Sequence, residues 1–145
     1  MPAQGSRLKT IYAHTDGASR GNPGESGIGL ILRDEDGSVL YAAGAYIGKA
    51  TNNTAEYLAL LACLEKAREL PCQRLVVHSD SELMVRQIKG QYRVKDKNLQ
   101  RLYLDARKLL AEAPFEFEIV HVEREKNRDA DLLANEGIDS KKSIG

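Results

Sequence analysis

The chain has no tryptophan, two cysteines and four prolines in 145 residues, and its 21 basic and 21 acidic side chains leave no net charge. Cys63 and Cys72 form no metal-type spacing and are too few for a disulfide framework, so they read as free thiols in a reducing compartment. No apolar run approaches the ~20 residues that cross a bilayer as a helix, so no membrane association is expected. The opening residues, MPAQGSRLK, lack the apolar stretch of a secretory signal, which makes a cytoplasmic location the expectation. Repeats, low-complexity tracts and linkers are also missing. One domain is therefore expected over residues 8–138, with short flexible tails at 1–7 and 139–145. A chain of this size buries roughly two-thirds of its extended surface, enough for a core without a staple.

The balanced total hides an uneven distribution. From Arg86 to Lys108 the chain carries eight basic residues against two acidic ones, with Arg93, Lys95 and Lys97 at the centre of the stripe. A local basic stripe is what binding to nucleic-acid phosphates requires, although a solvated helical face has the same composition.

Periodicity supplies the element order. Thr10–Thr15 has strand composition and runs into Asp16-Gly17, a turn signal. Asn22-Pro23-Gly24 marks another turn, Gly27–Leu32 a second strand, Asp34–Gly37 a hairpin turn and Ser38–Ile47 a third strand. The period then lengthens: Asn53–Leu70 is a helix stopped by Pro71, and Leu75–Val77 is a short strand leading to Ser79-Asp80. Helices follow at Ser81–Lys89 and Asn98–Glu112, then a strand at Phe115–Val122 and a last helix from Asn127 to about Ile138. The order βββαβααβα predicts an α/β fold: a five-stranded mixed sheet, three antiparallel then two parallel strands, covered by helices on both faces.

Four acidic residues fall at or near element ends. Each has an ordinary explanation: Asp16 in an Asp-Gly turn, Glu56 in a capping box three residues after Asn53, Asp80 as a helix cap, Asp131 against a helix dipole. Together they suggest more. If the first and fourth strands are neighbours, Asp16 and Asp80 meet, and two like charges ~4 Å apart cost about 4 kcal/mol at an effective dielectric of 20. Such a cluster binds cations or stays partly protonated, and an oxygen-only ligand set favours Mg²⁺ or Mn²⁺. Two such ions can activate water and stabilise a leaving 3′-oxygen in phosphodiester hydrolysis.

The motifs around these residues resemble those of type 1 ribonuclease H. Thr15-Asp16-Gly17-Ala18, with Gly21-Asn22-Pro23-Gly24 and Gly27 after it, is similar to that family's TDGSxxxNPGxGG. Thr51-Asn52-Asn53-Thr54-Ala55-Glu56 resembles TNNxxE, Ser79-Asp80-Ser81 resembles TDS, and Asn127–Ala134 resembles NxxADxLA. The match runs in order from about Tyr12 to Glu136. The resemblance implies a metal-dependent endonuclease that cuts the RNA strand of RNA–DNA hybrids, leaving 5′-phosphate and 3′-hydroxyl ends. It implies that Asp16, Glu56, Asp80 and Asp131 are catalytic and hold two Mg²⁺ or Mn²⁺ ions. Asn22, Asn52 and Asn53 match positions that contact the minor groove of the hybrid, where an amide can read a 2′-hydroxyl. Thr51 matches a threonine that helps hold a DNA phosphate.

Three departures from the family pattern matter. Val122–Asn127 is too short for the loop that carries a catalytic histidine in many members and contains no histidine; Arg124 is the expected partial substitute, steadying the scissile phosphate or the leaving product. The basic protrusion and its tryptophan are absent, leaving Gly90–Lys97 between two helices and the stripe of Arg93, Lys95 and Lys97 to do part of that work. Glu82 stands where many members have a glutamine at a groove contact; with no donor to offer, it needs either an altered contact or a nearby base. His14 and His78, each two residues before an aspartate, read as sheet histidines. A protein that acts as a monomer on a hybrid is expected. The alternatives are a non-catalytic hybrid-binding module, a relative that also cuts double-stranded RNA, and a partner of a reverse transcriptase.

Overall fold

Each segment read as a strand forms one; the first four outrun the apolar patterns that announce them, and the last stops a residue short at each end. A computed structural model describes residues 8–141. Its strands are β1 (Leu8–Gly21), β2 (Gly24–Arg33), β3 (Val39–Ala50), β4 (Cys72–Ser79) and β5 (Glu116–His121). Its helices are α1 (Asn52–Arg68), α2 (Glu82–Ile88), α3 (Lys97–Glu112) and α4 (Arg128–Ser140), with a 3₁₀ turn at Arg124–Lys126. The expected flexible tails lie outside the described residues at 1–7 and 142–145, and α4 runs past residue 138, where the apolar pattern ends, to Ser140.

The sheet order is β3-β2-β1-β4-β5. The β1–β2 and β2–β3 pairs are antiparallel, and β1–β4 and β4–β5 are parallel, as the element order predicts. Asp34 closes the β2–β3 hairpin, its Oδ1 accepting from the N–H groups of Asp36 and Ser38 at 2.9 Å each.

Asp16-Gly17 is not a turn. β1 continues through it and stays paired with β2 as far as Gly21 opposite Gly24. Gly17 serves a close approach instead: a Cβ there would lie 2.4 Å from the backbone of Ala55 and Glu56 in α1. The reversal falls five residues later, at Asn22-Pro23, joined by a cis peptide bond.

Successive residues of a strand face opposite sides, so the two neighbours Asp16 and Gly17 divide the sheet's environments between them. On Gly17's side, α1 buries Tyr57, Leu60 and Leu64 against Ile11, Ala13, Leu30, Leu32, Leu75 and Val77, with Met84, Val85 and Leu99 of the next two helices in the same core. On the opposite side α4 sits almost on the sheet backbone. A Cβ at Gly29, the partner of Asp16, would lie 2.1 Å from the Ala130 carbonyl, and one at Gly44 would lie 2.0 Å from that of Leu133. Helices therefore cover both faces. Among the described residues no helix is long and apolar enough to cross a membrane.

Candidate metal centre and substrate cleft

The parallel register of β1 and β4 places Thr15 opposite Ser79, so the residues that follow, Asp16 and Asp80, emerge side by side. Asp16 lies within β1 and is buried, whereas Asp80 follows the last residue of β4 and is half-buried. Glu56 arrives from α1, 8% exposed, with Oε1 accepting the Gly17 N–H at 3.1 Å. One carboxylate oxygen from each of Asp16, Glu56 and Asp80 lies within 4.8 Å of the others. Asp131 comes from the first turn of α4, across the sheet from Glu56, and reaches Asp16 closely enough to raise its proton affinity.

The local geometry removes three of the four ordinary explanations. Thr51 caps α1, its Oγ1 accepting from Thr54 N–H at 3.2 Å, so Glu56 closes no capping box on Asn53. Ser81 caps α2 in the same way on Met84 N–H at 3.2 Å, so Asp80 is not the cap. Asp16 makes no turn. Only Asp131 keeps its alternative, a favourable place against the α4 dipole.

Gathering these groups has an electrostatic cost. Burial, then the charges of Glu56 and Asp80, then Asp131, push the Asp16 carboxyl far above the usual carboxylate range. Glu56 is pushed up by burial and then by Asp80, against the stabilising Gly17 N–H. A divalent cation would offset both repulsion and desolvation. The donors are all carboxylate oxygens, the chemistry that Mg²⁺ and Mn²⁺ take, and two oxygens on one Mg²⁺ at ~2.1 Å stand up to ~4.2 Å apart. Small side-chain rotations would draw the trio onto one ion, so the residues fit the metal.

The carboxylates floor an open cleft of about 540 Å³, whose walls include Asn52, Asn53, Ser81, Glu82, His121 and Arg124. Asn22 stays off the floor but braces it, its Oδ1 accepting the Asn52 N–H at 3.0 Å. Thr51 opens onto a neighbouring hollow shared with Lys49, Thr54, Lys97 and Arg101. Of the basic stripe, Lys97 lines this hollow, while Arg93 and Lys95 are exposed on the α2–α3 connection and line neither site. Glu82 finds its nearby base in Arg86, whose Nε donates to Glu82 Oε2 at 2.9 Å.

His14 and His78 stack at 4.4 Å between centroids and 10° between planes, and neither lines the cleft. His78 is satisfied through Nδ1 on the Ala13 carbonyl at 2.9 Å, but His14 Nδ1 is buried with no hydrogen-bond partner among the described residues. Burial, then His78 and Arg33, lower the His14 pKa to about 4. Sequence reasoning passed over two residues. His121, the exposed last residue of β5, reaches the cleft because it pairs in register with Ser79, next to Asp80. Asn127, 1% exposed, donates from Nδ2 to the Thr15 carbonyl at 2.8 Å. The register of β4 with β5 would have found the first; the second opens the Asn127–Ala134 motif, which marks the residue but not its bond to Thr15.

The family model described as Reverse transcriptase-like matches residues 14–137. Ribonuclease HI of Halobacterium salinarum is 41% identical over 139 residues, covering 96% of this chain and 68% of the relative. A bifunctional protein of Mycobacterium tuberculosis is 38% identical over 134 residues, covering 90% of this chain but 36% of the longer relative. Among solved structures, RNase H1 of Halobacterium salinarum superposes with a TM-score of 0.86 at 41% identity, covering 90% of this chain and 98% of the other. LC11-RNase H1, solved in complex with an RNA/DNA hybrid, gives a TM-score of 0.85 at 42% identity, with coverage of 90% and 97%.

Proposed function

The chain belongs to the ribonuclease HI family and is a ribonuclease H; we propose that it hydrolyses the RNA strand of RNA–DNA hybrids in the cleft floored by Asp16, Glu56, Asp80 and Asp131. The observation that carries this assignment of residues is the convergence of carboxylates from β1, α1, the end of β4 and α4 on one open cleft. A module that only bound hybrids would gain nothing from setting this negative charge beside phosphates, so the binding-only alternative is disfavoured.

In this reading the four carboxylates hold divalent ions, Mg²⁺ or Mn²⁺, which when bound activate water and neutralise the leaving oxygen. The chain's own residues supply the rest. The N–H of Gly17 donates to Glu56 Oε1, orienting that carboxyl and favouring its ionised form against the burial that raises its proton affinity. Asn52 and Asn53 face the substrate space with both donor and acceptor, suited to the 2′-hydroxyls of the RNA strand, and Asn22 fixes the backbone of Asn52. Arg124 brings a permanent cation to the cleft wall, where it steadies the scissile phosphate or the departing product. The hollow of Lys49, Thr51, Lys97 and Arg101 suits a phosphate of the DNA strand. Attack by water forms a new bond at phosphorus and breaks the bond to the 3′-oxygen, which takes up a proton from solvent to become the 3′-hydroxyl while the phosphate stays on the 5′ end. The protein acts as a monomer in this scheme, as a subgroup member without the protrusion or the loop histidine.

One assay tests the proposal. End-labelled hybrid, RNA duplex and DNA duplex are incubated with Mg²⁺ or Mn²⁺, using the native protein and Asp80→Asn. The expected result is cleavage of the RNA strand in the hybrid, lost by about a thousandfold in Asp80→Asn. Hybrid cleavage that survives the substitution, or none with either ion, defeats the proposal, and RNA duplex cleavage would widen the substrate range. Arg124→Ala in the same assay lowers turnover at saturating substrate; unchanged turnover removes its assigned role.

A further inference from the structure

We propose that Asn127 is a positioning residue that ties β1 to α4 and so sets the spacing of Asp16 and Asp131; this rests on the function proposed above. Asn127 sits at the junction of the 3₁₀ turn and α4, 1% exposed. Its side-chain Nδ2 donates at 2.8 Å to the carbonyl of Thr15, the oxygen of the peptide unit that leads into Asp16. Its own backbone carbonyl accepts the N–H of Asp131 at 3.1 Å. One residue thus holds the backbone at two of the four carboxylates, which come from separate elements 115 positions apart in sequence.

The alternative role for an asparagine at this position is to cap α4. The geometry argues against it. Asparagine caps a helix by turning its side-chain oxygen onto an N–H of the first turn. Asn127 makes no such bond, and its Oδ1 is buried with no hydrogen-bond partner among the described residues, as is the neighbouring Thr15 Oγ1. The amide is oriented for its donor, and the bond it makes reaches out of the helix to the central strand. Supporting contacts of this kind around a metal centre are commonly worth 10–100-fold in metal affinity or activity.

Serine and aspartate are good caps, but serine is too short to reach Thr15 and an ionised aspartate has no donor, so Asn127→Ser and Asn127→Asp separate the two roles. Three readouts are taken: hybrid cleavage with kcat and KM resolved, calorimetric Mn²⁺ binding without substrate, and amide hydrogen exchange at Asp131 in the metal-free protein. Expected in both variants are a fall of about 10–100-fold in kcat with hybrid KM within about twofold, weaker Mn²⁺ binding, and faster exchange at Asp131. Native kcat and Mn²⁺ affinity in either variant overturns the proposal and leaves a capping role. A matching rise in KM, or unfolding of both variants, also overturns it, because Asn127 would then support the fold as a whole. Native protein that cleaves no hybrid defeats the proposed function instead, and Mn²⁺ binding and hydrogen exchange still test the tie.

Discussion

Asp16 and Glu56 hold opposed demands: the fold buries them, and the proposed chemistry needs them ionised. Because both have raised proton affinity, the metal-free native state binds more protons than the unfolded chain above the ordinary carboxylate range. Stability from these groups is therefore full below that range and is lost as pH rises through the raised values. His14 acts in the reverse sense, since its pKa falls to about 4: its contribution is complete above its ordinary value and is lost as pH falls toward 4. The thermal midpoint of metal-free protein should thus drop by several degrees between about pH 7.5 and pH 9, a range above the ordinary histidine value where His14 is neutral in both states. Asp16→Asn should flatten the slope, and millimolar Mg²⁺ should do the same in the native protein. A midpoint independent of pH across that range, by calorimetry without metal, would show that the carboxylates are not in repulsion.

At the scale of elements, the tightest joint is the seat of α4 on β2 and β3. Gly29→Ala puts a methyl carbon 2.1 Å from a helix carbonyl, so helix and sheet must separate. The expected cost is about 1–3 kcal/mol, read from denaturant unfolding, with the loss of activity exceeding the loss of folded protein because Asp131 moves with its helix. Activity that tracks the folded fraction alone would uncouple the joint from the cleft. The same joint shows what sequence can express. The change from period 2 to period 3.6 announced the strands and α-helices but not the 3₁₀ turn at Arg124–Lys126, and the apolar spacing placed the start of α1 to within one residue. Gly17 was misread because a glycine needed for close backbone approach has the same letter as one needed for a turn. The four carboxylates were legible through their motifs. The place of His121 in the cleft and the bond of Asn127 to Thr15 were not, because the first depends on the register of β5 on β4 and the second joins residues 112 positions apart.

For the molecule as a whole, net charge is a poor guide to what it binds. The chain is neutral, yet Lys49, Lys97 and Arg101 gather around one hollow beside an acidic cleft. On the proposed reading, hybrid affinity measured with the inactive Asp80→Asn protein falls steeply with salt. Lys97→Ala and Arg101→Ala each weaken it and lower the slope of log affinity against log salt by about one. A slope unchanged in both variants would place the DNA strand elsewhere.

The proposed site draws on residues 16, 56, 80 and 131, and its last contributor lies on the helix that closes the far face of the sheet. Ribosomes make chains from the amino end at ~5–20 residues per second. A nascent chain therefore carries three of the four carboxylates for several seconds before α4 emerges and docks. On the proposed assignment of the site, the unfinished chain is a nuclease without its full active site while it is still tethered to a machine built of RNA. On that assignment the order of the residues along the chain acts as a delay, arming the enzyme only when synthesis has passed α4.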